Sequence, residues 1–342
     1  MPRTRYYMAL AHEQFPPGEL LRQATAAEEA GFDGVCCSDH LQPWWVPGES
    51  GHAWVWLGAA GAVTRQVAIG SAVTAPMYRH HPVMVAQAFA TLEAMFPGRA
   101  FLGVGSGESL NESPTGVDWP SPREQLERMD EALWLIDRLL DGERVSHEGR
   151  HFRTKGAYLH TRGRRRPPVY VSAFYPGAAR VAGRRGDGLW TLANPETAPG
   201  LIEAYRSAAE DAGRGPGQVL LQVGVSWART DEAAMEGARL WKGAQLPEFF
   251  TGDWHDPEAM QRRAEERVSD EALREALVIS SDPDDHVARI RRVEELGATI
   301  VVVMNNSGAD PMGAIRTYRD RVLPTLRAGR AQRARADSPP SG

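Results

Sequence analysis

Residues 35–45 (VCCSDHLQPWW) place polar and aromatic side chains directly after a short apolar run. Such a run, ended by polar residues and a proline, is typical of a strand buried on both faces. We therefore expect Asp39 and His40 to face a cleft at the end of that strand. His40 titrates near neutral pH and can accept or donate a proton, whereas Asp39 can anchor a polar ligand or orient His40. Trp44 and Trp45 can wall a flat ligand; the alternative is a solvated loop with one structural aspartate.

A second polar stretch follows a later apolar run in the same way. Residues 99–104 predict a strand that runs into GSGESLNE at 105–112, which contains the carboxyl group of Glu108. The glycines of this stretch resemble the start of a dinucleotide-binding fingerprint. No third glycine lies at the required position, so we give this motif no weight.

The elements that must position these residues alternate between strand and helix. Short apolar runs that end in polar residues predict strands at 6–10, 34–38, 67–73, 99–104, 168–172, 188–191, 219–228 and 299–304. Helical patterns separate most of them, at 18–30, 53–64, 83–96, 120–140, 177–185, 197–212, 284–296 and 311–326. Parallel strands joined by helices leave their C-terminal loops free for chemistry. We predict an α/β fold, a (β/α)8 TIM barrel, and the alternative is a doubly wound sheet.

Length and composition set further limits on the 342-residue chain. We expect a single barrel over residues 1–327 with insertions near 112–160 and 229–278, and a disordered tail at 328–342. A net charge of −5 gives no basic face for nucleic acid, and no segment reaches the length of a membrane span. Cys36 and Cys37 are adjacent and point to opposite faces of a strand, so we expect free thiols in a reducing cytoplasm.

Four motifs together resemble one family. They are Glu13-Gln14-Phe15, Ser38-Asp39-His40 with Trp44, QAFAT at 87–91 and GVGSGESLNE at 103–112. The chain resembles the luciferase-like barrel superfamily, and within it the branch of glucose-6-phosphate dehydrogenases that use the deazaflavin coenzyme F420. The resemblance extends from about residue 6 to residue 326.

This resemblance implies hydride transfer on coenzyme F420 and assigns the cofactor residues. The deazaflavin ring would rest on a bulge at Ala72-Val73, where relatives often have a non-proline cis peptide. Asp39 and Asn111 would contact its polar edge and tail beside the loop that contains Gly107. The backbone of Ala173, Phe174 and Tyr175 would meet the phosphate at the start of the following helix. No metal ligands are predicted.

The resemblance also assigns catalytic and substrate-binding roles. His40 would take the hydroxyl proton, Glu108 would protonate the deazaflavin ring, and Trp44 would steady the intermediate. A base near neutral pKa and an acid are what hydride transfer requires of the protein. The alternatives are a capping imidazole and a solvated carboxylate. We expect the substrate to be contacted by Glu13, Trp45, Trp190, Asn194 and Arg263.

Departures from the family pattern concern mainly the sugar-phosphate site. Relatives place a lysine near Asn194 and an arginine near Ala276, and only Arg262 or Arg263 remains as a replacement cation. We therefore predict a small organic substrate other than glucose 6-phosphate. The alternatives are an F420H2-dependent reductase of a C=C or C=N bond, an FMN-dependent monooxygenase, and a non-catalytic deazaflavin-binding protein. Helices 53–64 and 83–96 carry more apolar residues than one barrel face needs, which predicts a homodimer.

Overall fold

The computed structural model describes the backbone of residues 3–336 and the side-chain burial of residues 3–329. In this part of the chain the strands are β1 (Arg5–Leu10), β2 (Gly34–Cys37), β3 (Ala68–Ser71), β4 (Ala100–Val104), β5 (Val145–Glu148), β6 (Arg153–Ala157), β7 (Val169–Ser172), β8 (Gly188–Leu192), β9 (Gln218–Ser226), β10 (Val278–Ile279) and β11 (Ile300–Asn305). The helices are α1 (Pro17–Glu29), α2 (Ala53–Val63), α3 (Pro82–Met95), α4 (Ser109–Glu112), α5 (Pro122–Leu140), α6 (Pro176–Arg185), α7 (Ala198–Asp211), α8 (Asp231–Arg239), α9 (Glu248–Thr251), α10 (Pro257–Arg267), α11 (Asp270–Ala276), α12 (Pro283–Glu295), α13 (Pro311–Thr317) and α14 (Leu323–Ala336).

Eight parallel strands of the described residues close a barrel in the order β1-β2-β3-β4-β7-β8-β9-β11, and β11 returns to β1. The ring is in register around β1, where Met8 lies opposite Val35 on one side and Val303 on the other. Strand β10 pairs with β9 outside the ring, and β5 and β6 form a separate antiparallel hairpin. The predicted (β/α)8 barrel is confirmed.

Apolar side chains on both faces of the strands account for this architecture. Strands β2 and β4 are buried along their whole length. Inside the barrel the aromatic rings of Tyr7, Phe101 and Tyr170 pack together, with centroid separations of 5.4 and 5.6 Å. The outer strand faces pack against the surrounding helices in a larger core. Cys36 and Cys37 are free and buried, as expected.

Helix α5 illustrates how the surrounding helices are specified. Ser121 accepts a hydrogen bond from the backbone N–H of Glu124, which caps the helix, and a proline follows at its first position. Met129, Leu133 and Ile136 repeat at helical spacing and are fully buried. The closing helix is longer than predicted, because a π-helical turn joins α13 to α14 and α14 runs to Ala336. The predicted disorder of residues 328–342 stays a prediction; residues 328–336 belong to α14, and residues 337–342 lie outside the described residues.

The long segment after β9 covers the C-terminal end of the barrel. The sequence predicts an insertion near 229–278, and the structure places the four helices α8, α9, α10 and α11 in it. Trp241, Phe249 and Met260 from this segment pack against Trp44 and Trp45. The insertion is therefore anchored on the loop that follows β2.

The outward face of α2 and α3 exposes apolar side chains. Val55 is 74% exposed and Met84 is 53% exposed, with Val63 and Met95 on the same pair of helices also largely exposed.

Among the described residues, no helix combines the length and the apolar character that crossing a bilayer requires.

Candidate active site

The C-terminal ends of the barrel strands open into a cleft of about 590 Å³. Because the strands are parallel, the loops that follow them all meet at this face. The predicted site residues that line the cleft are Glu13, Asp39, His40, Trp44, Ala72, Val73, Gly107, Glu108, Asn111, Phe174, Tyr175, Trp190 and Asn194. Residues that lie far apart in the sequence are thus brought to one site.

The centre of the cleft holds an imidazole between two carboxylates. His40 Nδ1 lies 2.8 Å from Glu13 Oε1, and His40 Nε2 lies 3.7 Å from Glu108 Oε2. The Glu13 side chain is 1% exposed, whereas those of His40 and Glu108 are 14% and 19% exposed. Glu13 therefore lies beneath the histidine, and Glu108 faces it across the open cleft.

These three groups shift one another's protonation. Burial opposes the charged imidazolium, but the Glu13 and Glu108 carboxylates outweigh it and raise the pKa of His40 to about 9. Burial would also raise the pKa of Glu13, but the charge of His40 and local hydrogen bonds hold this pKa below its usual value. At Glu108 burial prevails over the charge of His40 and raises the pKa of the carboxyl group. The site thus pairs an ionised buried carboxylate with an imidazole and a carboxyl group suited to hold a proton.

Asp39 does not orient His40, because its carboxylate is bound elsewhere. It accepts hydrogen bonds from Thr74 Oγ1 at 2.7 Å and Arg79 Nη1 at 3.2 Å, and lies 3.7 Å from His80 Nε2. Burial would raise the pKa of Asp39, but these three contacts outweigh it and lower that pKa strongly. The sequence analysis considered Asp39 as the residue that orients His40. In the structure Glu13 makes this contact.

Arg79 joins two of the loops that form the site. Besides Asp39, its Nε donates to Glu112 Oε1 at 3.1 Å, and its Nη2 donates to the backbone carbonyl of Asp39. Asn111, beside Glu112, ties the same loops together, since its Oδ1 accepts the backbone N–H of Leu41 at 2.8 Å. The predicted contact of Asn111 with the cofactor stays a prediction.

Aromatic rings form one wall of the cleft. Trp44 lies 5.9 Å from the His40 ring and 5.4 Å from the ring of Phe250, which in turn lies 5.7 Å from Phe174. Trp190 is nearly buried and donates to Gln222 Oε1 at 3.1 Å. Phe250, from α9, thus connects the ring beside the histidine with the loop after β7.

Three predicted site residues do not line the cleft. Trp45 is buried behind Trp44, where its ring meets Trp241 at 5.2 Å. Arg263 lies on α10 and donates to Glu248 Oε1 at 2.9 Å, away from the cleft. Neither residue lines the cleft, so the structure gives no support to these two predicted substrate contacts. The side chain of Ala173 packs into the core and does not line the cleft, whereas the adjacent residues Ser172 and Phe174 do.

The cleft has the features that the deazaflavin implied by the motifs would need. The Ala72-Val73 peptide bond is cis, and both residues line the cleft. A Cβ on Gly105 would lie 2.5 Å from Val73 Cγ2, so the glycine leaves room for the Val73 side chain. At the start of α6, no side chain caps the helix and the backbone N–H groups of Gly177 and Ala178 have no acceptor among the described residues. Free amides at a helix N-terminus suit a phosphate, so the residues present fit this cofactor.

The cleft also contains residues that the sequence analysis did not assign. Arg79 follows the third strand and meets the same criterion as Asp39 and His40, a polar residue after an apolar run. Glu112 lies one helical turn beyond Glu108 in the same motif. Phe250 lies on α9 of the insertion and Arg289 lies on α12 of the outer layer, and no local pattern indicates that they reach the cleft.

Comparison with known proteins places this geometry among related enzymes. The sequence matches the luciferase-like monooxygenase family over residues 4–299. It is 42% identical to an F420-dependent glucose-6-phosphate dehydrogenase of Nakamurella multipartita, over 96% of this chain and 98% of that protein. It is 38% identical to an F420-dependent hydroxymycolic acid dehydrogenase of Mycobacterium tuberculosis, over 94% and 88% of the two chains.

A solved structure matches the fold closely. An F420-dependent secondary alcohol dehydrogenase in complex with an F420-acetone adduct superposes with a TM-score of 0.91 and is 32% identical. The match covers 95% of this chain and 99% of that chain.

Arg79→Met tests the buried ion pairs. Losing one partner of a buried pair costs about 3–5 kcal/mol, so we expect a loss of this size in the free energy of unfolding at pH 7, measured by chemical denaturation. Arg79→Lys should be intermediate, because lysine lacks the planar fork.

The pKa of Asp39 is lowered in the folded protein. Its pairing therefore stabilises the fold above a pH of about 4, and this stabilisation is lost as the pH falls through the lowered pKa.

The control for this prediction is Arg263→Met, which breaks the half-exposed pair with Glu248. Exposed pairs contribute about 0–1 kcal/mol. Equal losses of unfolding free energy in the Arg79 and Arg263 variants would contradict the buried pairing of Arg79. So would a difference in unfolding free energy between the Arg79 variant and the wild type that does not become smaller at acid pH.

Proposed function

The chain belongs to the luciferase-like monooxygenase family, and we propose that it is an F420-dependent dehydrogenase of a small hydroxyl-bearing substrate other than glucose 6-phosphate. The observation that carries this proposal is the contact series Glu13–His40–Glu108 at the centre of the cleft. A proton acceptor oriented from below and a carboxyl group opposite it are the protein groups that alcohol oxidation by hydride transfer requires.

The cofactor would be held by backbone and by shape. The Ala72-Val73 bulge and the loop containing Gly107 would support its ring, and the start of α6 would bind its phosphate through the amides of Gly177 and Ala178. When bound, the deazaflavin supplies a two-electron hydride acceptor that handles oxygen poorly. The relatives named as F420-dependent enzymes support this choice.

His40 performs the proton transfer in the proposed reaction. Its Nε2 faces the open cleft while Glu13 fixes the ring through Nδ1. As hydride leaves the carbinol carbon of the substrate, Nε2 takes the hydroxyl proton, and the substrate becomes a carbonyl compound. Glu13 stabilises the imidazolium that forms. Trp44 borders the same space and excludes water from it.

The raised pKa of His40 favours a second candidate, which is reduction by the reduced cofactor. With a pKa of about 9, His40 is mainly protonated at neutral pH and is ready to donate. Glu108, whose pKa is also raised, holds its proton more readily than an exposed carboxyl group. An F420H2-dependent reductase of a C=C or C=N bond would use the same two groups in the opposite direction.

The charges of the cleft support a substrate other than a sugar phosphate. Among the described residues, the cationic side chains that line the cleft are His40, Arg79 and Arg289. Arg79 is neutralised by Asp39 and Glu112, and neither Arg262 nor Arg263 reaches the cleft. A phosphate dianion normally receives several charge-assisted contacts.

We also propose that the enzyme is a homodimer joined through α2 and α3. Val55, Val63, Met84 and Met95 form an exposed apolar face on these two helices. A face of this kind is typical of a protein interface.

The proposed cofactor and roles are tested by calorimetry together with kinetics. The wild-type protein should bind F420 more tightly than riboflavin 5′-phosphate. His40→Ala and Glu108→Gln should each lower turnover by about 100- to 10,000-fold and leave the F420 dissociation constant nearly unchanged. Arg263→Met serves as the control and should behave as wild type. Tighter binding of riboflavin 5′-phosphate would sink the cofactor assignment, and full activity of either variant would remove that residue from the mechanism.

The role of Glu13 predicts a change in the pH profile. In the wild type, kcat/KM for alcohol oxidation should rise with pH up to about 9, since only neutral His40 accepts a proton. Glu13→Gln removes the main charge that raises this pKa, so the rising limb should move to lower pH by roughly 1–3 units. Glu248→Gln, at an exposed pair outside the cleft, is the control. An unchanged limb in the Glu13 variant would show that Glu13 does not tune the base.

The dimer is tested by light scattering at micromolar concentration. The wild type should have the mass of two chains, and Val55→Glu should dissociate it because a charge on an apolar interface loses its hydration. Leu240→Glu, on the C-terminal cap of α8, replaces a partly exposed apolar residue elsewhere and should remain dimeric. A monomeric wild type would refute the proposal.

A further inference from the structure

One end of the cleft contains a cation that the protein does not neutralise. Arg289, on α12, lines the cleft and is half-buried. Among the described residues, no carboxylate lies within 4.0 Å of its guanidinium, and its recorded hydrogen bond is a long one, 3.4 Å from Nη2 to the backbone carbonyl of Glu275. The other cleft arginine, Arg79, is fully paired. Arg289 therefore has donors available for a ligand.

The fold places Arg289 at the end of the cleft beside β9. The loop after β8 is fixed to this strand, because the Ala193 N–H donates to Gln222 O at 2.8 Å. On the other side, the Leu277 side chain packs against β9 at Gly224, where a Cβ would lie 2.4 Å from Leu277 Cδ2. Asn194 lies in the loop after β8 and Arg289 lies on α12, the helix that follows this segment, and both line the same cavity as His40.

Arg289 can balance one negative charge on a ligand, because no carboxylate of the described residues lies within ion-pair distance of it. Glu275 also lines the cleft, but it is exposed and its carboxylate forms no ion pair with Arg289. One guanidinium does not balance a phosphate dianion. A single carboxylate matches the planar fork of arginine and can bind it through two parallel hydrogen bonds.

We propose that Arg289 binds a carboxylate of the substrate and that the substrate is a hydroxy acid. This inference rests on the proposed dehydrogenase function and adds the substrate class. The carbinol carbon loses hydride to the cofactor and its hydroxyl proton to His40, which gives a keto acid. The carboxylate stays ionised, and none of its bonds changes. Asn194 also lines the cleft, and its Oδ1 accepts the backbone N–H groups of Glu196 and Thr197, which leaves its side-chain N–H groups without an acceptor among the described residues.

A substrate series separates the charge from the chemistry. Hydroxy acids of four to eight carbons, with a secondary hydroxyl next to the terminal methyl group, are compared with their methyl esters as donors for F420 reduction. The wild type should prefer an acid to its ester. In Arg289→Met, the ratio of kcat/KM for acid over ester should fall about 10- to 100-fold, as expected for losing a charged hydrogen bond. In Arg289→Lys this ratio should fall by less than in Arg289→Met.

Two further variants act as controls. Glu275→Gln removes the competing carboxylate and should raise the acid-to-ester ratio, whereas Arg263→Met, outside the cleft, should leave it unchanged. Binding is measured separately by calorimetry, with unsubstituted carboxylates of four to eight carbons and cofactor-free protein. This binding should also be lost in Arg289→Met.

The outcomes distinguish the two proposals. A ratio that Arg289→Met does not change, or a glucose 6-phosphate kcat/KM above that of every hydroxy acid, would overturn the carboxylate site. A different outcome is carboxylate binding that depends on Arg289 without any reduction of F420 by an acid or an ester. It would support the carboxylate site and overturn the dehydrogenase function.

Discussion

The site depends on how the barrel compensates the carboxylates that it buries at the ends of its strands. Asp39, Glu13 and Glu112 are at most 3% exposed, and a buried charge without a partner is too costly to keep. Arg79 meets Asp39 and Glu112, and His40 meets Glu13. The proposed catalytic base is therefore also a structural counterion, and this double role is why its pKa is raised.

This pairing determines what remains available to a ligand. The side chains of Asp39 and Asn111 make protein contacts that hold their loops in place, and their predicted contacts with the cofactor stay predictions. The surfaces left free are backbone amides, the cis bulge, the aromatic wall and the outer face of the imidazole. Recognition by shape and backbone suits a flat cofactor, because those groups are rigid and cost little further ordering on binding.

The centre of the cleft and its end beside β9 differ in charge. At the centre the cations and carboxylates balance one another, whereas at the β9 end Arg289 has no carboxylate partner within ion-pair distance among the described residues. The same barrel face can therefore keep its reaction groups while the distant end selects the substrate. Phe250, from the insertion that anchors on Trp44, lines the same cleft and contacts the rings of Trp44 and Phe174.

The sequence by itself determined the barrel and the position of His40, Glu108 and Trp44 at its mouth. Apolar runs that stop at polar residues mark parallel strands, and the C-terminal ends of parallel strands meet at one face. Only the tertiary structure decided that Glu13 rather than Asp39 supports His40, that Arg263 faces away, and that Arg289 reaches the cleft. Local periodicity identifies which face of an element is buried, but contacts between distant elements depend on how those elements pack in three dimensions.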